Sequence, residues 1–237
     1  MIIGSTNSTI PNTVTSIRSS AFSGSDITII TIPNSIEQIS DYAFNNCKSL
    51  TNVTISNGVT SIGSSAFNSC ENLSNVNLPN TITTINKRAF YGCESFTSIV
   101  IPSSVTSINK EAFCRCNSVT SIIVDSNNST YDSRDNCNAI IETSTNTLIY
   151  GCNNTIIPST VTSIGESAFG WCYNLTSLSI PEGITSIGAS AFTSCTSLES
   201  ITLPSTITSI EDYAFDKIKT VTCLATTPPT INDYTFS

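Results

Sequence analysis

The dipeptide Ala-Phe recurs along this chain at an almost constant spacing. The 56-residue interval in the series equals one 23-residue period plus 33 residues, and a degenerate copy closes the chain at Tyr234–Phe236. A fixed period of about 20–50 residues is typical of a solenoid, in which each unit buries its apolar face against the next. The phenylalanines of the series are Phe22, Phe44, Phe67, Phe90, Phe113, Phe169, Phe192 and Phe215.

The clearest unit runs from Pro181 to Leu203 and assigns a role to each position. Proline opens most units and ends a short apolar strand, because it has no N–H to donate to a ladder. An aliphatic-x-x-Ile step follows, then Ala-Phe, a cysteine three residues later, and a closing strand such as Leu178–Ile180. The pattern predicts a repeat solenoid of about eight turns, built from short parallel β-strands with loops and short helical turns.

These units resemble the BspA-like leucine-rich repeat, whose pattern is roughly L-x-x-I-x-I-P-x-x-V-x-x-I-G-x-x-A-F-x-x-C. The segments Ile62–Cys70, Ile164–Cys172 and Ile187–Cys195 match that pattern position by position. The resemblance covers nearly the whole chain. It implies a leucine-rich-repeat fold and a bacterial or protist surface protein that is used in adhesion, often to host matrix proteins.

The sequence predicts a single leucine-rich-repeat domain over residues 1–237, with an N-terminal edge at 1–9, an insert at 125–157 and a C-terminal cap at 218–237. Within the insert, a polar loop precedes two apolar runs, Asn138–Ile141 and Leu148–Gly151, which is typical of a β-hairpin. Deleting the insert would join Val124 to Pro158 and restore the 23-residue period. We therefore expect the insert to lie outside the core and to be dispensable for the fold.

Most of the ten cysteines occupy one slot of the repeat, three residues after the phenylalanine. A reduced, buried packing column is the expected structure, because free cysteine behaves as a small hydrophobe and a column cannot bring four ligands to one zinc ion. Cys223 is expected to pack and Cys114 to be exposed. Cys137 and Cys152 flank the predicted hairpin, so a disulfide between them is an open alternative. The column comprises Cys47, Cys70, Cys93, Cys116, Cys172 and Cys195.

The absence of histidine limits the chemistry of the chain. It excludes a Ser-His-Asp triad, a Cys-His dyad and an imidazole general base. No nucleophile lies beside a base and no carboxylate pair stands out, so the sequence predicts no enzyme and no cofactor. Asp125, Asp132 and Asp135 are close in sequence, but their spacing matches no calcium-binding loop, so no metal site is predicted.

The charge and hydropathy patterns limit the classes of partner that the chain can be expected to bind. The net charge is −8, and the nine lysines and arginines are scattered, so nucleic acid and anionic membranes are not expected partners. There is no apolar run of membrane-spanning length, so no membrane insertion is expected. The first residues show no signal-peptide pattern. The resemblance implies a cell-surface or secreted protein, and a virion-associated or cytoplasmic location is the alternative.

Two sets of residues are candidates for partner binding. The first set faces outward from the strands and is most apolar at Val100 and Ile123. The second set combines Trp171 and Tyr173, at slots that hold small or polar residues in other turns, with three residues of the insert. We expect the second set to be exposed and to form one patch, since aromatic and arginine side chains supply most hot spots. The alternative for Trp171 is that it covers the hairpin. The three insert residues are Tyr131, Arg134 and Tyr150.

The sequence therefore favours a non-catalytic binding or adhesion module that presents a repeat surface to a protein or a glycan. The alternative is a structural or assembly component, such as part of a virion or a surface fibre, in which the solenoid is a spacer or an attachment element.

Overall fold

A computed structural model describes residues 7–236 of the chain. The chain divides into two compact units. Unit 1 comprises the residues up to Val119 together with Asp125–Asn128, and unit 2 comprises Thr120–Val124 together with the residues from Ser129 onward. Each unit is a stack of repeat turns, as the 23-residue period predicted.

Unit 1 has two columns of short parallel strands. In the first column β1, β2, β4 and β6 pair in that order, and in the second column β3, β5, β7 and β9 do so. Ile30 pairs with Val53 and Val53 with Val76, so neighbouring strands are one repeat apart in sequence. The strands are β1 (Asn7–Thr9), β2 (Ile29–Ile32), β3 (Gln38–Ile39), β4 (Asn52–Ile55), β5 (Ser61–Ile62), β6 (Asn75–Asn77), β7 (Thr84–Ile85), β8 (Ser98–Ile101) and β9 (Ser107–Ile108).

Tight turns, rather than helices, connect the two columns. Each turn bends at two positions with left-handed backbone, such as Tyr42 at φ 57° and Asn46 at φ 57°. The described residues contain a single 3-10 turn, Arg134–Asn136, and even there Asp135 has left-handed backbone at φ 58°. The predicted short helical turns are therefore bends, because left-handed residues four positions apart prevent an α-helix from continuing.

A stack of phenylalanine rings fills the core of unit 1. Phe44 and Phe67 lie 5.1 Å apart between ring centroids and are nearly parallel, and Phe67 and Phe90 lie 5.3 Å apart. Phe22 and Phe113 extend the stack at its two ends. The repeat places one ring per turn, so the ring spacing follows the spacing of the turns.

The cysteine column lies beside the phenylalanine stack and hydrogen-bonds to it. The Sγ of Cys70 donates to the carbonyl oxygen of Phe44 at 3.1 Å, and the Sγ of Cys116 donates to that of Phe90 at 3.2 Å. Burial raises the pKa of Cys195 in the corresponding slot of unit 2 to about 12. The six thiols of the column are buried and free, which confirms the predicted packing role.

Unit 2 combines repeat turns with the hairpin of the insert. The order β11-β12-β13-β14-β15-β17-β19 forms one sheet, and β16 pairs with β18. The first two pairings in the large sheet are antiparallel and the others are parallel. The strands are β10 (Ser121–Val124), β11 (Tyr131–Asp132), β12 (Ala139–Glu142), β13 (Thr147–Gly151), β14 (Ser163–Ile164), β15 (Ser186–Ile187), β16 (Ser200–Leu203), β17 (Ser209–Ile210), β18 (Thr220–Cys223) and β19 (Thr230–Ile231).

The insert forms the predicted hairpin, but it belongs to the core of unit 2. Ile141 and Leu148 are fully buried and pack in one cluster with Ile164 and Phe169. Strand β13 pairs in parallel with β14, so it takes the place that a repeat strand would occupy. The expectation that the insert lies outside the core is wrong, because the repeat needs an apolar neighbour and the hairpin supplies it. Whether the insert is dispensable stays a prediction.

Glycine at position 151 is required by the first phenylalanine of unit 2. A Cβ atom on Gly151 would lie 2.3 Å from a ring carbon of Phe169. The ring stack of unit 2 therefore begins against the backbone of the hairpin and continues through Phe192 and Phe215 at spacings of 5.3 and 5.7 Å.

Two expectations about cysteines outside the column are corrected, and the open alternative of a disulfide is decided. Cys137 and Cys152 are buried as free thiols, so the structure holds no disulfide between them. Cys114 was expected to be exposed but is buried, with 2 % of its surface accessible. Cys223 was expected to pack in the core but is exposed. Burial raises the pKa of Cys137 to about 11, as expected for a thiol surrounded by apolar groups.

Candidate partner-binding clefts on the strand faces

The strand face of each unit is the surface formed by the outward residues of its longer strands. In β4, β8 and β16 exposed and buried residues alternate, as expected for strands with one solvated face. Val100 in unit 1 is 56 % exposed and Ile123 in unit 2 is 52 % exposed. The expectation that both side chains point outward is confirmed.

The strand face of unit 1 is interrupted between β6 and β8, which are not paired with each other as strands. Strand β6 has the sequence Asn-Val-Asn, and its central residue Val76 is only half-buried. The outward residue of β6 is Asn77, whereas β2, β4 and β8 have threonine or valine there. Asparagine has low β-propensity and valine and threonine have high β-propensity, so the ladder opens where the sequence is least suited to a strand.

An open cleft of about 810 Å³ lies at this interruption. Its volume is in the range of known ligand sites, about 300–1,000 Å³. Val76, Leu78 and Val100 form its apolar surface, and amide, hydroxyl and carboxylate groups surround them. The polar residues are Asn57, Asn75, Asn77, Asn80, Thr81, Ser98 and Asp125.

Asp125 is fixed at the cleft by a tight turn. Its backbone N–H donates to the carbonyl oxygen of Ile101 at 2.9 Å. Its Oδ1 atom accepts from the backbone N–H and the side-chain amide of Asn127 at 2.8 and 3.1 Å. The buried amide of Asn128 donates to the carbonyl oxygens of Pro102 and Val105, which fixes the far end of the turn. The first residues of the insert thus complete the cleft of unit 1.

Unit 2 has a smaller cleft, of about 420 Å³, at the corresponding interruption of its own strand face. The segment 175–180 is not assigned as a strand, and its outward residue is Ser179. Serine and threonine hydroxyls line this cleft, and no asparagine does. The carboxylate of Glu182 is engaged by Ser205, whose N–H and Oγ donate to it at 3.2 and 2.9 Å.

The two insert tyrosines that were predicted to bind a partner are buried within unit 2. Tyr131 and Tyr150 are 5 % and 6 % exposed, so the expectation of exposure is wrong for both. They lie on the short strands β11 and β13, where the hairpin packs as part of the unit core. The single patch predicted for the second set therefore does not form.

Arg134 is held by an ion pair and two further hydrogen bonds. Its Nε donates to Oδ1 of Asp132 at 2.8 Å and its Nη2 donates to Oδ2 at 2.5 Å. Its Nη1 donates to Asn146 at 3.0 Å and to Thr160 at 3.3 Å. The hydrogen bond to Asp132 raises the pKa of Arg134. The guanidinium therefore links the polar loop to the hairpin turn, and a role of Arg134 in partner binding stays a prediction.

Trp171 and Tyr173 are half-buried rather than exposed. Trp171 adopts left-handed backbone at φ 60°, in a slot where other turns have Gly24 and Gly92. Its backbone N–H donates to the carbonyl oxygen of Thr193 at 2.8 Å. A role of these two side chains in binding stays a prediction.

Residues 7–236 contain neither a cluster of possible metal ligands nor a membrane-spanning helix. No group of three or more cysteine, aspartate or glutamate residues lies close enough there to hold a metal ion. No helix in that range has the length and apolar character to cross a bilayer.

The chain matches the family model of the BspA type leucine rich repeat region. The match comprises six copies, over residues 4–120, 37–146 and 146–237. Because these ranges cover nearly the whole chain, the protein belongs to this family. A search of curated proteins finds no match to the chain. The repeat fold is generally non-catalytic, and no enzyme-related family was found to match the chain.

Several solved structures share the fold. The pneumococcal vaccine antigen PcpA superposes with a TM-score of 0.78 at 23 % identity, over 91 % of this chain and 58 % of that one. A leucine-rich repeat protein from Eubacterium ventriosum gives 0.65 at 26 % identity, over 84 % and 61 %. The chain thus spans about three fifths of these two relatives. A leucine rich cell surface protein from Faecalibacterium prausnitzii gives 0.64 at 26 % identity, over 93 % and 79 %.

The asparagines of the unit 1 cleft were not predicted as site residues from the sequence. A signal was available, because Asn77 breaks the series of β-branched residues at the outward strand position. Asn57, Asn75 and Asn80 could not be grouped with it from sequence, since they lie on different turns and loops.

Proposed function

We propose that the protein is a non-catalytic binding module of a cell-surface or secreted protein, and that it binds its partner with the strand face of unit 1. The observation that carries the proposal is the cleft at the interruption of this face, which exposes Val100 beside Val76 and Leu78. A concave site that combines an apolar surface with polar groups is where a ligand is expected to bind. Membership in a family of repeat proteins used for protein interaction supports the same conclusion.

Binding of the whole chain to immobilised extracellular-matrix proteins and mucin glycoproteins tests this function. We expect Val100→Ser to weaken binding and the matched outward change Thr54→Ser in β4 to leave it unchanged. Ile123→Ser and Trp171→Ala extend the test to unit 2. Retention of binding by Val100→Ser, with loss in Ile123→Ser or Trp171→Ala, would move the site to unit 2. The absence of binding by the wild-type chain would contradict the proposed function.

A further inference from the structure

The side-chain amides of the unit 1 cleft lack protein hydrogen bonds. Within residues 7–236, the side chains of Asn75 and Asn77 make no hydrogen bond to another residue, and the same holds for Asn57 and Asn80. All four side chains are exposed to solvent, and some asparagines elsewhere in the described residues do bond in this way. The amide of Asn109, for example, donates to Oδ1 of Asn86 at 3.0 Å. The cleft therefore offers four amides, each with two donors and an acceptor, to a ligand.

The charge of the cleft excludes anionic ligands. No lysine or arginine is among its lining residues, and Asp125 contributes a carboxylate. Phosphate, sulfate and carboxylate ligands are bound most strongly by cations, the lining residues supply none, and the carboxylate of Asp125 would repel an anion. The ligand chemistry that fits is neutral.

The side chains that line the cleft also favour a glycan over a peptide as the ligand. Protein hot spots are enriched in tryptophan, tyrosine and arginine, and the cleft is lined by none of these. Amides and hydroxyls that surround a small aliphatic surface instead match a ligand with many hydroxyl groups, because each hydroxyl can both donate and accept. The C–H faces of a sugar ring would contact Val76, Leu78 and Val100.

From these observations we infer that the cleft of unit 1 binds a neutral oligosaccharide, with Asn75, Asn77 and Asn80 as hydrogen-bonding residues. The inference rests on the proposed function and specifies its ligand. The glycan can be a free polysaccharide or part of a glycoprotein, since the chemistry is shared. The hydroxyl-lined cleft of unit 2 has no amides and is not expected to bind it.

The test uses the whole chain and two sets of soluble probes. Neutral hexasaccharides of glucose, mannose, galactose and N-acetylglucosamine form one set, and heparin and hyaluronan fragments form the acidic set. We expect the wild-type chain to bind at least one neutral hexasaccharide in calorimetric titrations. The double change Asn75→Ala, Asn77→Ala should weaken that binding about tenfold, because it removes two hydrogen-bonding groups. Ser179→Ala in the unit 2 cleft is the matched control and should leave the dissociation constant unchanged.

Mucin before and after enzymatic deglycosylation distinguishes the two sources of the glycan. Loss of mucin binding after deglycosylation supports a glycoprotein ligand, and binding of free hexasaccharides alone supports a polysaccharide. Exclusive binding of the acidic probes, binding that the asparagine changes leave intact, or no binding of any glycan would overturn the inference. Binding of a deglycosylated matrix protein that Val100→Ser weakens would then still support the proposed function. Circular dichroism confirms that each variant is folded.

Discussion

The two units are built from the same repeat, but they differ in how the ring stack starts and in the residues that line the cleft on the strand face. Unit 1 starts its ring stack with Phe22, a residue of the repeat, whereas unit 2 starts it with Phe169 against Gly151 of the hairpin. A repeat turn thus needs only an apolar neighbour in register, and a non-repeat hairpin can supply one. The strand faces differ too, since the cleft of unit 1 is lined with amides and that of unit 2 with hydroxyls. The shared period fixes the scaffold, and local residues decide what each face can bind.

The largest effect is expected in the ring stacks, where the units should behave alike. Phe90 and Phe192 each stack on rings on both sides and are at most 1 % exposed. Phe90→Ala and Phe192→Ala should each lower the free energy of unfolding by about 3–5 kcal/mol, as for other buried phenylalanines. Denaturant unfolding followed by circular dichroism measures this change. A loss below about 1 kcal/mol in either variant would show that the two stacks are not equivalent.

The next effect is specific to the start of unit 2. Gly151→Ala places a methyl group in the volume of the Phe169 ring, which should cost about 1–3 kcal/mol of stability. The same change in a Phe169→Leu background is the control, because the flexible smaller side chain can move away. Equal losses in both backgrounds would contradict the contact between Gly151 and the ring. Hydrogen exchange measured by mass spectrometry should locate the effect in unit 2.

A smaller loss is expected when the polar loop of the insert is detached from the hairpin turn. Arg134→Ala removes the ion pair with Asp132 and the bonds to Asn146 and Thr160, in a site that is only partly exposed. The free energy of unfolding should fall by about 1–2 kcal/mol, since hydrogen bonds to charged groups exceed neutral ones. Lys48→Ala, which breaks an exposed pair with Glu71 in unit 1, is the control and should cost less than about 1 kcal/mol. Similar melting temperatures for the two variants would show that the Arg134 bonds stabilise the protein no more than an exposed ion pair does.

The smallest effect concerns the two interruptions of the strand faces. Asn77→Thr and Ser179→Thr place a β-branched residue at the outward position where the ladder opens. Each should stabilise its unit by about 0.5 kcal/mol, within the range of β-propensity. Amide exchange should slow in β6 and β8 for the first change and in 175–180 for the second. Unchanged exchange rates would mean that the outward residue does not cause the interruption.

The repeat, its period and its buried columns were predictable from the sequence alone. Ala-Phe and the cysteine three residues later recur often enough to place Phe67, Phe90 and Cys70 in one core, because only stacked turns can bury a short unit. The hairpin of the insert was also predictable, and so was the outward direction of Val100. These features depend on local pattern and period, which a single sequence records.

Tertiary structure decided the burial of the insert and the location of the candidate site. Tyr131, Tyr150 and Arg134 looked like surface contacts because the insert interrupts the repeat, yet the first turn of unit 2 needs a neighbour and the hairpin provides it. The cleft in unit 1 is lined by Asn77 and Asp125, which are distant in sequence and come to one cleft through the stacking of turns. Such contacts arise from the register of whole turns, and no local pattern in the sequence specifies them.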